Sequence, residues 1–175
     1  ELYGQSYQTG STDIVMLGDS ITYRVNWGEL LKNKQEIINR GIDGDTTEGM
    51  YNRLDDIVSM KPKKVYIMAG INDIGIGYSV ETVFENYKKI ISKLRENGIQ
   101  VIVQSTLYTS NSRANSQVSI LDKSLEKYCT ENQIKYIDLN KDLAPNNILK
   151  SEYTYDGLHL NYKGYNVWRK NLVNL

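Results

Sequence analysis

The amino-acid sequence predicts an α/β domain built around a parallel sheet, and three features carry that expectation. Short β-branched runs alternate with apolar stripes at steps of three and four from one end of the chain to the other. The breaks between them are brief and contain Gly, Asn or Asp, with no low-complexity linker and no internal repeat. At 175 residues, the chain suits a single domain spanning 1–175 with one sizeable core.

Five runs read as strands: Asp13 to Leu17, Glu36 to Asn39, Lys64 to Ala69, Gln100 to Ser105 and Lys135 to Leu139. Three of them are nearly continuous in apolar residues, as helices on both faces of a sheet require. Between the second and third, Met50, Leu54, Ile57 and Val58 keep helical spacing after Thr46 and Thr47. Next, Val80, Val83, Phe84, Tyr87, Ile90, Ile91 and Leu94 form a long stripe, with Ser79 as N-cap and Gly98 just past the end. Val118, Leu121, Leu125, Tyr128 and Cys129 make another stripe before the last strand. The pattern lapses over 140–156, which predicts a long loop. Tyr162, Tyr165, Trp168 and Leu172 then share one face of a final helix.

Composition removes several classes of function. Lys plus Arg and Asp plus Glu each total 21, so there is no basic excess to neutralise a phosphate backbone, and nucleic acid is not an expected partner. No apolar run approaches the ~20 residues of a membrane span, so a soluble chain is expected. The chain opens at Glu1 rather than Met, which suggests a processed product or a piece of something longer. A lost signal peptide would leave no trace, so cytoplasmic and extracytoplasmic locations both stay open, as does oligomeric state. The single cysteine, Cys129, has no intramolecular partner, and no Cys/His cluster has zinc spacing, so no metal is expected. Cys129 falls on an apolar stripe and reads as a buried, inert thiol.

Ligands of open parallel sheets bind at the carboxyl ends of the strands. Here those ends are polar: Gly18-Asp19-Ser20-Ile21-Thr22, Asn39-Arg40-Gly41-Ile42-Asp43-Gly44-Asp45-Thr46 and Gly70-Ile71-Asn72-Asp73, with Asp156-Gly157-Leu158-His159 before the last helix. His159 is the sole histidine, so any imidazole base must be this one. Asp156, three residues earlier, is near enough to accept its Nδ1 proton. Ser20 follows a strand, where its hydroxyl can project above the sheet; the alternative is a helix N-cap. Asn72 is either a turn residue or an amide donor to an oxyanion, and Gly44 either an αL turn or a close backbone approach to a ligand. Thr22 stands where the α/β-hydrolase elbow has its final glycine, so the serine belongs to a different fold.

Together these four segments resemble the sequence blocks of the SGNH hydrolases, or GDSL-type esterases and lipases, with Ile21 in place of the eponymous leucine. The wording NRGIDGDTT and DGLHLN resembles bacterial relatives of platelet-activating-factor acetylhydrolase catalytic subunits. The resemblance implies a three-layer α/β/α fold with five parallel strands in flavodoxin-like order. It assigns Ser20 as nucleophile, His159 as base and then acid, and Asp156 as orienting carboxylate. The N–H groups of Ser20 and Gly44 and the amide of Asn72 would form the oxyanion hole, and no metal or cofactor is implied.

Short loops between the blocks leave no evident lid for a long acyl chain, so acetyl or another short acyl group is expected, plausibly on an O-acetylated carbohydrate. Tyrosine supplies 14 of the aromatic residues, a bias that suits polar ligands. Asp19, Tyr23, Trp27, Tyr108 and Tyr155 are expected to contact substrate, with Tyr153 nearby. Acyl transfer, thioester cleavage or lysophospholipid hydrolysis would use the same residues. A different class is a non-enzymatic flavodoxin- or receiver-like module gathering a cation or phosphate with Asp19, Asp43, Asp45 and Asp73. It lacks the paired acids after the first strand and the lysine directly after the last.

Overall fold

The computed structural model describes residues 12–32 and 34–172. Strands form where the β-branched runs lie: β1 (Ile14–Gly18), β2 (Ile37–Gly41), β3 (Lys64–Ile67), β4 (Gln100–Gln104) and β5 (Lys135–Ile137). They pair in parallel, in the order β2-β1-β3-β4-β5. The second strand runs past its expected end because Gly18 and Gly41 are still in register. The fifth stops short of Leu139, whose N–H is taken by Ser105 Oγ at 2.9 Å.

Side chains alternate across the sheet, and each face finds a helical layer. Val15, Leu17, Val65, Ile67, Val101 and Val103 pack against α3 (Thr47–Asn52), α4 (Leu54–Ser59), α6 (Val80–Glu96) and α7 (Ser112–Glu131). Ile14, Met16, Tyr66 and Ile102 face the other layer, made by α1 (Ser20–Tyr23), α2 (Trp27–Leu31), α8 (Asn140–Leu143) and α9 (Tyr162–Lys170). The result is a three-layer α/β/α sandwich with flavodoxin-like strand order. From β1 the chain crosses to β2 through α1 and α2 on one face, then returns to β3 through α3 and α4 on the other. The crevice opened by that reversal lies at the carboxyl end of β1, where Asp19 and Ser20 follow.

Two expectations are corrected. The stripe from Met50 to Val58 is broken at Arg53, which leaves helical geometry (φ −112°, ψ 14°) and separates α3 from α4. The lapse over 140–156 holds α8 and a 3₁₀ turn (Ser151–Tyr153), elements too short to show a period. Side-chain bonds of Asn140 to Tyr108 N, Thr106 O and Asp122 fasten α8. Cys129 is fully buried on α7, and burial pushes its thiol up to about 11, in keeping with an inert sulfur. Among the described residues, no helix is long and apolar enough to cross a membrane.

Candidate active site

The nucleophile candidate is placed by the tight exit from β1. A Cβ at Gly18 would lie 2.1 Å from Thr22 Oγ1, so only glycine lets the chain turn here against α1. Asp19 takes the extended N-cap conformation, and its Oδ1 accepts from Ile21 N at 3.0 Å. Ser20 is therefore the first residue of α1 rather than its cap, which overturns the alternative reading of that serine. Its Oγ lies 3.0 Å from His159 Nε2, across 139 positions of sequence.

His159 is held by a loop that bonds mainly to itself. Asp156 Oδ1 accepts from the backbone N–H groups of Leu158 (2.9 Å) and His159 (2.7 Å), which leaves Oδ2 2.6 Å from His159 Nδ1. That contact keeps the proton on Nδ1 and presents Nε2 to the serine hydroxyl as an acceptor. Thr154 Oγ1 accepts from Gly157 N at 2.9 Å and donates to His159 O, and an antiparallel bridge joins Thr154 to Leu160. Gly157 has φ +85°, which favours glycine at this turn. Partial burial pushes the Asp156 carboxyl up. The hydrogen bonds from the His159 ring and from the His159 and Leu158 backbone outweigh it and hold the group at about 2. Beneath the serine the balance is reversed: burial pushes Asp19 up to about 7 against the opposing bond from Ile21 N, and among the described residues its Oδ2 has no hydrogen-bond partner.

The opposite wall begins at Gly70 (φ +113°), which starts α5 (Ile71–Ile76). Asn72 on its first turn donates from Nδ2 to Asp45 O at 3.0 Å, so the amide grips the loop carrying Gly44, whose φ is +75°. This loop is anchored from below. The fully buried Asp73 accepts from Thr47 Oγ1 at 2.7 Å and from Thr47 N, and Asn86 Nδ2 donates to the same hydroxyl. Arg53 pairs with Asp45 at 2.8 Å and donates to Gly18 O at 3.1 Å, tying the Gly44 loop to the end of β1.

The structure therefore brings Ser20, His159 and Asp156 into one hydrogen-bonded series and joins Asn72 to the Gly44 loop. The expected substrate contacts divide. Tyr155 is 64% exposed and stacks beside His159, with centroids 6.0 Å apart and planes at 14°; its hydroxyl accepts from Arg24, which pairs with Asp43. Tyr23 is exposed at the end of α1. Trp27 is corrected: it is buried edge-on against Trp168 and donates from Nε1 to Thr22 O, so its ring is core. Asp19 is also corrected, because it is 1% exposed beneath the serine, with Oδ1 capping α1, and does not line the open site. Tyr108 lines a separate depression with Asp122 and Asp138 and is not brought to the site. Tyr153 is half-buried against the core, under Lys150. The four acids of the receiver-like reading do not converge either. Asp19 caps a helix, Asp43 and Asp45 pair with arginines, and Asp73 holds Thr47.

Two contributors escaped sequence reasoning. Thr154 had a signal, a hydroxyl just ahead of an Asp-Gly turn. Arg53 had none, because its role depends on a helix break invisible in the apolar pattern.

Residues 16–167 match the model of the GDSL-like lipase/acylhydrolase family. The chain belongs to this family. The match supports an ester-hydrolysing domain in this chain. An N-acylneuraminate cytidylyltransferase of Streptococcus agalactiae is 30% identical over 147 residues, which cover 83% of this chain and 34% of that protein. The chain thus spans about a third of that relative. Among solved structures, a GDSL-like lipase from Bacteroides thetaiotaomicron superposes with a TM-score of 0.86 at 23% identity, covering 98% of this chain and 93% of the other. A protein from Streptococcus pneumonia, described as a candidate platelet activating factor, gives a TM-score of 0.83 at 25% identity, covering 96% and 88%.

Proposed function

We propose that this protein is a serine acylhydrolase that removes short acyl groups, acetyl above all, from carbohydrate alcohols through an acyl-enzyme. The observation that carries the reading is the unbroken contact series from Ser20 Oγ to His159 Nε2 (3.0 Å) and from His159 Nδ1 to Asp156 Oδ2 (2.6 Å).

The chemistry follows from that series. As Ser20 Oγ attacks the ester carbonyl, His159 Nε2 takes its proton, and the imidazolium is stabilised by the Asp156 carboxylate, which is ionised at neutral pH. The tetrahedral oxyanion is received by the N–H groups of Ser20 and Gly44 and by Asn72. One amide hydrogen of Asn72 is already given to Asp45 O, which fixes the plane of the group and leaves the second hydrogen for the oxyanion. His159 then returns the proton to the leaving alcohol oxygen, and water repeats the cycle on the acyl-Ser20 ester.

The preference for a small acyl group is supported by the short connections that follow β1, β2 and β3. The carbohydrate alcohol is supported by the exposed Tyr155 ring beside His159 and by the relative that is named for an N-acylneuraminate, a sugar acid. The test is a series of p-nitrophenyl esters of increasing acyl length followed by acetylated sugars. Hydrolysis should fall as the acyl chain grows, resist EDTA and stop when a serine-directed phosphonate labels Ser20. Undiminished hydrolysis after complete labelling would refute the nucleophile, and a preference for long chains would refute the acetyl reading.

A further inference from the structure

A groove of about 650 Å³ runs from Asn72 to the loop that carries His159, within the size range of ligand sites (roughly 300–1,000 Å³). One wall is Ile71, Asn72 and Ile74; another is Asp156, Gly157 and Leu158; the far side comes from Thr109–Asn111 and the first turns of α7. Its only cation is Arg113. Arg24, Arg40 and Arg53 each hold an aspartate, whereas among the described residues the Arg113 guanidinium has no ion pair and no hydrogen bond. The groove's single acid, Asp156, is engaged by His159 and the backbone. The other polar lining groups are amides and hydroxyls, among them Asn72, Thr109, Ser110 and Gln117, which suit a polyhydroxylated ligand.

The groove adjoins the base without containing it: Asp156, Gly157 and Leu158 of its wall directly precede His159, the group that delivers a proton to the leaving oxygen.

We infer that Arg113 is a specificity-determining residue, and that the groove selects esters whose alcohol is an anionic sugar, the anion pairing with the guanidinium. This rests on the acylhydrolase reading above and adds a charge requirement to it. A planar guanidinium forks equally well onto carboxylate and phosphate, so the shared chemistry is an anion on the sugar.

The experiment compares pairs that differ at the anionic group: O-acetylated galacturonate against its methyl ester, and O-acetylated glucose 6-phosphate against O-acetylated glucose. Acetate release is measured with wild type, Arg113→Lys, Arg113→Gln and Arg113→Glu. In wild type, kcat/KM should favour the charged member of at least one pair by about tenfold, mostly through KM, and the preference should shrink with added salt. The pair that shows it identifies carboxylate or phosphate. Arg113→Lys should keep part of the ratio, Arg113→Gln should bring it near one, and Arg113→Glu should invert it. An equal ratio in wild type and Arg113→Gln, for both pairs, overturns the inference. A wild type that releases nothing even from p-nitrophenyl acetate overturns the acylhydrolase reading instead, and the inference with it.

Discussion

The two walls of the site are fastened in opposite ways. The Gly44 and Asn72 side is tied into the molecule by contacts distant in sequence: Thr47 to Asp73, Arg53 to Gly18 O and Asn72 to Asp45 O, with Asp73 fully buried. The His159 side is held mainly by local bonds, since Asp156, Thr154, Gly157 and the Thr154–Leu160 bridge bond within a few residues of one another, with the buried Leu160 and the bond from Ser110 N to Gly157 O joining it to the rest. The difference separates two tasks. Donors that stabilise a developing oxyanion work by being immobile before the reaction. A base must turn between serine and leaving group, and it needs a fixed tautomer more than a rigid backbone.

Substitutions can break this contrast or sharpen it. The largest effects belong to the groups the two sides serve. Ser20→Ala should lower kcat by on the order of 10⁶ with an unchanged far-ultraviolet spectrum. Asp156→Asn, which supplies the wrong hydrogen-bonding partner to Nδ1, should cost on the order of 10⁴. Asn72→Ala should lower kcat by roughly 10²–10³ with little change in KM; a change confined to KM would remove it from the oxyanion hole.

Paired hydroxyl deletions then test the anchoring itself. Thr47→Val deprives the buried Asp73 carboxyl of a bond and should cost about 1–3 kcal/mol in urea unfolding. Thr154→Val should cost less stability while lowering kcat, because its hydroxyl holds the base loop at the surface. Equal stability losses would erase the contrast.

The smallest effects concern pH, where the two carboxyls act with opposite sign. Asp156, held at about 2, contributes stability above its unfolded value near 3.9, and this contribution is lost as pH falls toward 2. Asp19, raised to about 7, binds its proton more tightly in the folded chain, so stability declines as pH rises from about 4 to about 7 and levels off beyond. Asp19→Asn keeps the capping oxygen and should flatten that decline. An unchanged slope in thermal unfolding between pH 4 and 7 would assign it to other groups.

Much of this was legible in the residues. The five strands follow from β-branched runs, and the long helix from Val80 to Leu94 follows from its spacing, because burial on one face imposes a period that local sequence must carry. The polar strand ends brought Ser20, Asn72 and Gly44 into view, and the sole histidine left one candidate base. What the sequence hid depends on three-dimensional partners. Trp27 looked like a stacking surface because it lies near Ser20, yet its ring packs edge-on against Trp168, 141 positions away in the numbering. The break at Arg53 coincides with the reach of its guanidinium to Asp45 and Gly18 O, and no apolar count reports that. Tyr108 shares a loop with groove residues but lines another depression, a distinction of a single position in the chain.

The self-closing segment from Thr154 to Leu160 has a practical consequence. Because most of its hydrogen bonds close within itself, with Ser110 N to Gly157 O and Arg24 to the Tyr155 hydroxyl as ties to distant chain, warming or a mild chaotrope should release it before the central sheet, so turnover should cease before the protein melts. Cooling or dilution would then restore turnover at once, since only one short stretch of chain has to find its place again. How long the enzyme lasts in use would accordingly be set by this peripheral turn, and reinforcing the core would do little to extend it.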